Sequence, residues 1–474
     1  MSNPQSDQWH ATGAQWTAVW ALLLAAFVTL MDVTVVNLAV PSIAADLQAT
    51  DVQSQWILLA YLVPLASLLL PLGRFGDALG RRRLFLFGVA GFALGGLGAG
   101  TAQSINVLIA ARVLQGVGAA TMMPQVLALT QVILPSDQRR RAVGYFGMVS
   151  ALGAVAGPII GDAILTIDLF GLGWRAVYLL VVPPCILSSL IVVSFLSPDH
   201  SGSSKRIDVR NGLLVALAVT GLVFAAVQGR AQGWPAWIVV LPPASVLLLA
   251  YVVYTQRNRV SDKTEPLLPS GLLRSDPFLR RASMILLVFS GIAGVPFLLA
   301  IALQTGPQLS PGEVAMALAA HPIFAVAGAA VAGRWSPANP WTLPSIGSIL
   351  TCGGIVLIVI VYAQTGDNIS APVLLIPLAL VGCGMGLSNV ALMSGALAQV
   401  PNDVAGAASG MLQTAQQIGI TLSIAIVGGL YFGNTSDATS DAASAALLFP
   451  GAVFALASVL CGLGAIFQEK EGET

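Results

Sequence analysis

Charge is what this 474-residue chain has least of: Asp, Glu, Lys and Arg make up 9% of it, and 21 basic residues balance 21 acidic ones. That scarcity excludes an ordinary soluble multidomain protein, whose surface needs far more ionised side chains. With a formal net charge of zero there is no basic excess to serve nucleic acid. No lysine follows a glycine anywhere, so the phosphate loop of an ATPase is missing. The three histidines, His10, His200 and His321, are too scattered for an enzyme's acid–base or nucleophile cluster. Cys185, Cys352, Cys383 and Cys461 show no metal-ligand spacing and read as free thiols acting as small apolar residues.

Apolar residues fill the space that charge leaves. They make up 56% of the chain, and the mean hydropathy is +0.84. A hydrocarbon core about 30 Å thick needs about 20 apolar residues per crossing helix. Fourteen such runs recur almost end to end: Trp16–Val40, Val52–Leu72, Leu84–Ala102, Ile105–Leu134, Val143–Leu165, Trp174–Leu196, Gly212–Gln228, Trp237–Tyr254, Phe278–Leu303, Val314–Gly333, Trp341–Tyr362, Pro372–Leu397, Gly406–Tyr431 and Ala443–Phe467. The fold class is therefore all-α integral membrane. The runs group as six, two and six, which predicts an N-terminal bundle over 1–196, two extra helices with linkers over 197–277, and a C-terminal bundle over 278–474.

Loop charge predicts the orientation. All but three of the 21 basic residues fall on one side of the spans; the exceptions are Arg112, inside a run, and Arg175 and Arg230, in loops on the other side. Lys and Arg collect in cytoplasmic loops, so both termini are expected in the cytoplasm of a multi-pass plasma-membrane protein, the bacterial cell membrane. The polar linkers Ser197–Asn211 and Gln256–Pro277 are too short for a folded soluble domain. A substrate sensor with a cytoplasmic output domain is thereby disfavoured, as is a membrane enzyme.

Motifs sharpen the class. The string GRFGDALGRRR, Gly73 to Arg83, joins two apolar runs and carries four arginines, Asp77 and three glycines. It reads as a tight cytoplasmic loop in which glycine permits turns and close helix approach. Upstream lie MDVTVVNLAVPSI in the first run and Trp56 and Tyr61 in the second. Downstream follow RVLQGVG (Arg112 to Gly118), GAVAGPIIGD (Gly153 to Asp162) and WRAVYLLVVPP from Trp174. In this order and spacing the chain resembles the fourteen-helix drug:proton antiporters of the major facilitator superfamily over nearly its whole length.

The resemblance implies two six-helix bundles that alternate access to a central cavity. It implies export of amphipathic or cationic compounds, energy from the proton gradient with no cofactor, and work as a single bundle pair, so a monomer is expected. Its conformational motifs fall on Gly73, Arg74, Asp77, Gly80, Arg81, Arg82, Gln115, Gly116, Gly153, Gly157, Pro158 and Gly161. Departures matter too. GRWSPANP in the second half keeps Gly333 and Arg334 but lacks the aspartate and the basic run, while Asp162 and Val181 stand where a glycine and an asparagine are common. A dedicated exporter of one metabolite or antibiotic is therefore the alternative.

Charge held in lipid is costly, about 2.5–3.5 kcal/mol at a helix centre on insertion scales. Asp32 is accordingly the first candidate proton carrier. Arg112, at a comparable depth, is its candidate partner across the central cavity, unless the two form a static pair that fixes packing. Asp162 is a second titratable or cation-attracting candidate, or a carboxylate facing water at a helix end. His321 before Pro322 could titrate, though satisfying backbone freed by the proline is the simpler role. Glu313 reads as a helix N-terminal partner. Asn37, Asn389, Gln413 and Gln416 are candidate cavity amides, a type that more often joins helices. Gly153, Gly157 and Gly161 form a smooth stripe for close helix packing.

Overall fold

The structure is a computed structural model that describes residues 12–168, 171–197, 206–258, 264–265, 270–335, 337, 339–398, 400–401, 404–433 and 439–472. Among these residues fourteen stretches are helical, long and apolar enough to cross a membrane. In lipid only a helix or a closed barrel satisfies every backbone N–H and C=O, so apolar runs of this length fold as helices.

The first bundle is α1 (Gly13–Asp46), α2 (Asp51–Leu79), α3 (Arg81–Gly100), α4 (Ile105–Ile133), α5 (Ser136–Ile167) and a sixth span made of α6 (Arg175–Leu179) and α7 (Val182–Phe195). Then come α8 (Val209–Ala231), α9 (Ala236–Arg257) and the short α10 (Ser270–Leu273). The last six spans are α11 (Asp276–Ile292) with α12 (Gly294–Thr305), α13 (Pro311–Arg334), α14 (Thr342–Thr365), α15 (Leu375–Leu397), α16 (Ala405–Phe432) and α17 (Thr439–Gly472). Three of these helices start with a capping box: Thr12 with Gln15, Thr50 with Gln53, and Ser310 with Glu313. Each supplies partners for N–H groups that a helix start leaves open. Glu313 is the N-terminal partner its position suggested.

Three details differ from the sequence reading. The Gly73–Arg83 string is not a loop: α2 continues to Leu79, α3 begins at Arg81, and Gly80 alone makes the reversal at φ +98°. Gly73 and Gly76 instead let α2 lie against Pro124 and the Gln125 side chain of α4. The sixth span breaks between Leu179 and Val182, just before Pro183 and Pro184, and the ninth is divided at Ala293. Finally, the two linkers are not separate. Two-residue strands β1 (Arg206–Ile207) and β2 (Thr264–Glu265) pair in parallel and bring the two linkers together.

Small residues set the helix packing. With no hydrophobic drive between helices in lipid, close van der Waals contact has to supply cohesion. Gly88 and Gly118 let α3 and α4 meet backbone to backbone, Gly382 and Gly386 do so for α15 against α13, and Gly347 and Gly384 do so for α14 against α15. The Gly153, Gly157 and Gly161 stripe lays α5 along Phe27, Met31, Thr34 and Val35 of α1, with Pro158 buried beside it.

The start of α1 and the end of α17 lie at the end of the spans that carries most of the basic residues, called here the basic end. At the opposite end the two halves touch. Gln304 Nε2 of α12 donates to the Leu38 carbonyl of α1 at 3.2 Å, and Gly428 of α16 packs on the Gln55 side chain of α2. The extra helix α8 lies against both α2 and α16: Gly212 rests on Pro71, the Phe224 ring is 6.3 Å from that of Trp56, and Gly429 meets the Ala226 carbonyl.

Candidate functional site

An ion pair sits inside the first bundle. Arg112 Nη1 of α4 donates to Asp32 Oδ2 of α1 at 2.6 Å, and both side chains have zero exposure. A bare charge would be intolerable at such a place, so the guanidinium is surrounded. Its Nε donates to the Ile57 carbonyl at 3.0 Å, Nη1 also reaches Gln115 Oε1 at 2.9 Å, and the Tyr61 ring lies 4.5 Å from Cζ. Tyr178 stands on another side at 5.6 Å. These contacts join α1, α2, α4 and α6 around one cation.

Helix geometry explains the assembly. Arg112 and Gln115 are three residues apart and so share a face of α4. Gly116 has no side chain, which allows α4 to press on the Tyr61 backbone of α2 and bring the arginine under the Tyr61 ring. Tyr61 in turn donates its hydroxyl to the Thr29 carbonyl at 3.4 Å.

The site is incompletely satisfied. Asp32 Oδ1, Arg112 Nη2, Gln115 Nε2 and the Tyr178 hydroxyl are all buried without a hydrogen-bond partner. Buried polar atoms are normally paired, so each of these calls for a physical account. The pair is also enclosed by the first bundle and does not border an open central cavity, contrary to the expectation for these two helices. Nine of the thirteen α1 residues from Met31 to Ile43 are buried, Asp32 among them.

The other sequence candidates lie elsewhere. Asp162 is half-buried on α5 against Gly312 of α13, at the seam between the bundles, and its Oδ1 accepts from Thr166 at 3.1 Å. Asn37 is 8% exposed with its Oδ1 unpartnered. Asn389 Oδ1 accepts from Gln416 Nε2 at 2.8 Å, joining α15 to α16, while Gln413 is half-buried. His321 lies on α13 where its carbonyl approaches Gly382, and its Nε2 is buried without a partner.

At the basic end, Arg81 Nη1 donates to the Ala128 carbonyl of α4 and Arg82 Nη2 to the Val193 carbonyl of α7. Arg74 is half-buried, and the Asp77 side chain lies outside the described residues. Arg334, the remnant of the motif in the second half, is exposed.

Sequence reasoning missed Tyr61 and Tyr178 as members of the site, because an aromatic in an apolar run is unremarkable until its neighbours are known. It also counted Arg281, inside the run Phe278–Leu303, only among the basic residues on the cytoplasmic side. Arg281 belongs to α11, is 7% exposed, donates to the Gly395 carbonyl at 2.7 Å and lies 5.5 Å from the Trp341 ring.

Comparison with known proteins bears on the whole arrangement. The family model described as Major Facilitator Superfamily matches residues 22–424. The chain is 35% identical to a probable actinorhodin transporter of Streptomyces coelicolor, over 88% of this chain and 73% of that one. It is 28% identical to the multidrug resistance protein Stp of Mycobacterium tuberculosis, over 86% and 74%. Among solved structures, a bacterial homologue of the human lysosomal transporter Spinster, inward-facing and unoccupied, superposes with a TM-score of 0.66 at 15% identity, covering 96% of this chain and 98% of that one.

Proposed function

The chain belongs to the Major Facilitator Superfamily, and from that premise we propose that it exports amphipathic or cationic drugs across the cell membrane in exchange for protons. It is not an enzyme. The observation that carries the reading is the fully buried Asp32–Arg112 pair with a free carboxylate oxygen. A guanidinium beside a carboxylate favours the ionised acid, whereas separating the two in a poorly solvated interior favours the protonated one. A rearrangement that moves α1 against α4 then parts the carboxylate of Asp32 from its cation, and the proposed proton exchange takes place at that step. A ligand shifts such an equilibrium only by binding one state better.

In this mechanism the bundles 1–196 and 278–474 rock about a central cavity, with the segment 197–277 alongside. Contact of α1 with α12, and of Gln55 with Gly428, supports a state closed at the end opposite the termini. The basic loops support cytoplasmic termini, so this state opens inward. Arg81 and Arg82 brace α3 against α4 and α7 as the bundle moves. No cofactor is required; the proton gradient supplies the energy, and one copy of the chain in the bilayer suffices.

A second reading, a dedicated exporter of one antibiotic or metabolite, is favoured by the relative named for actinorhodin and by Asp162 at a position where glycine is common. Purified protein in liposomes under an imposed inward proton gradient tests both. Drug-dependent proton movement that vanishes in Asp32→Asn is the expected result. Movement with one compound out of a broad panel selects the dedicated exporter, and normal exchange by Asp32→Asn refutes the assigned coupling site.

A further inference from the structure

Among the described residues, the α2–α16 seam between the halves is roofed and the α5–α13 seam is not. On the α2–α16 side, α8 lies across the seam, with Phe224 next to Trp56, Ala226 under Gly429 and Gly212 on Pro71. Helix α9 backs it through Ser245 against Gly221. On the α5–α13 side the described residues include no such cover. A crevice of about 590 Å³ opens there between α5, α13 and α15.

Its walls are apolar and its mouth faces outward. Ile159, Met316, Phe324 and Ile376 line it, and all four are among the exposed large hydrophobic side chains. In a membrane-spanning chain such a surface meets acyl chains rather than water. Along α13 the lining runs from Gly312 to Phe324, about 18 Å at the usual helical rise. The volume falls within the range of pockets that take drug-sized ligands, about 300–1,000 Å³.

One lining side chain is charged. Asp162 stands five residues before the end of α5, so about 7.5 Å below it. One of its oxygens accepts from Thr166 on its own helix, and no cation pairs with it among the described residues. The neighbouring acid, Glu313, is engaged by Ser310 in its helix cap and does not line the crevice. A single carboxylate above an apolar trough complements a molecule with one positive charge and a bulky apolar body.

We infer that the α5–α13–α15 crevice is a lateral binding site for a membrane-dissolved amphipathic monocation, with Asp162 as its charge partner. This inference rests on the export reading for its purpose but not for its test. The trough receives the apolar body from the bilayer, the carboxylate holds the cation near the membrane face, and the site lies on the seam whose opening would admit the ligand. Asp162 thereby acts in ligand recognition, apart from the Asp32–Arg112 pair.

The test is equilibrium binding of radiolabelled tetraphenylphosphonium to the purified full chain in a non-ionic detergent, without any gradient. Asp162→Asn should weaken binding about tenfold, the loss expected for one close charge pair. Ala319→Trp, which fills the trough from a half-buried position, should abolish it, and Glu313→Gln, which removes the neighbouring acid that does not line the crevice, should leave it unchanged. Equal affinity in wild type and Asp162→Asn overturns the inference, as does binding that survives Ala319→Trp or disappears in Glu313→Gln. Displacement of the label by phospholipid but not by other lipophilic cations overturns it as well, making the crevice a lipid groove. The two readings fail separately: binding with no proton-coupled transport removes the exporter, and transport with no Asp162-dependent binding removes the crevice.

Discussion

Arg112 holds Asp32 with one guanidinium nitrogen at 2.6 Å and leaves its other terminal nitrogen, like the second oxygen of Asp32, buried and unpartnered. The pair is thus closed on one side and open on the other. Breaking a buried ion pair from one side leaves an uncompensated charge and costs about 3–5 kcal/mol, whereas replacing both members costs much less. Arg112→Ala should therefore lower the thermal midpoint sharply, and adding Asp32→Asn to it should recover most of the loss. Transport should be absent from both. Additive thermal shifts in the double variant would show that the two residues are not energetically coupled.

Thr34 is the nearest side chain to the missing Cβ of Gly157, and the Met31 carbonyl lies 3.2 Å from it. Overpacking a tight contact costs about 1–3 kcal/mol. Gly157→Ala should reduce both stability and transport, and Thr34→Gly placed in the same chain should restore part of each. Thermal midpoints of the three variants decide the point, and no rescue by Thr34→Gly would mean that the Met31 backbone sets the limit.

Hydropathy made most of this fold legible, because a crossing helix needs a long apolar run and the chain has little else. Rarity made Asp32 and Arg112 legible in the same way: a charge inside such a run has few bland explanations. Tyr61 and Tyr178 were not legible, since their role is defined by α2 and α6 meeting α4, a long-range fact. The Gly73–Arg83 string misled because glycine serves turns and close packing alike, and only Gly80 makes the turn. The linkers were read as separate, since two-residue strands carry no periodic signal of their own.

Gly116 and Gly147 make opposite predictions. A Cβ at Gly116 would collide with the Tyr61 backbone, displacing the ring that covers Arg112, whereas at Gly147 nothing lies within 4 Å. Gly116→Ala should destabilise the protein by about 1–3 kcal/mol and impair transport. Gly147→Ala, in the interior of α5, should stabilise by up to about 1 kcal/mol through helix propensity and leave transport intact. Thermal unfolding followed by circular dichroism separates the two. A harmless Gly116→Ala would show that α2 and α4 yield easily at this contact.

Asp208 and Gln256 close the base of the two extra helices. Gln256 Nε2, with no exposed surface, donates to Asp208 Oδ2 at 2.7 Å, and Asn211 Nδ2 donates to the same oxygen at 2.7 Å. Beside them, Arg206 pairs with Thr264 and Ile207 with Glu265, so residues from both linkers are held in one place. A carboxylate that accepts two buried amides contributes about 1.5–3 kcal/mol per bond, and its loss also strands those donors. Asp208→Ala should consequently loosen α8 from α2 where Gly212 rests on Pro71. Cysteines placed at 71 and 212 report this directly. The disulfide should form readily in the otherwise unaltered chain and several-fold more slowly with Asp208→Ala, while an unchanged rate would locate the attachment of α8 higher up, at Phe224 and Trp56.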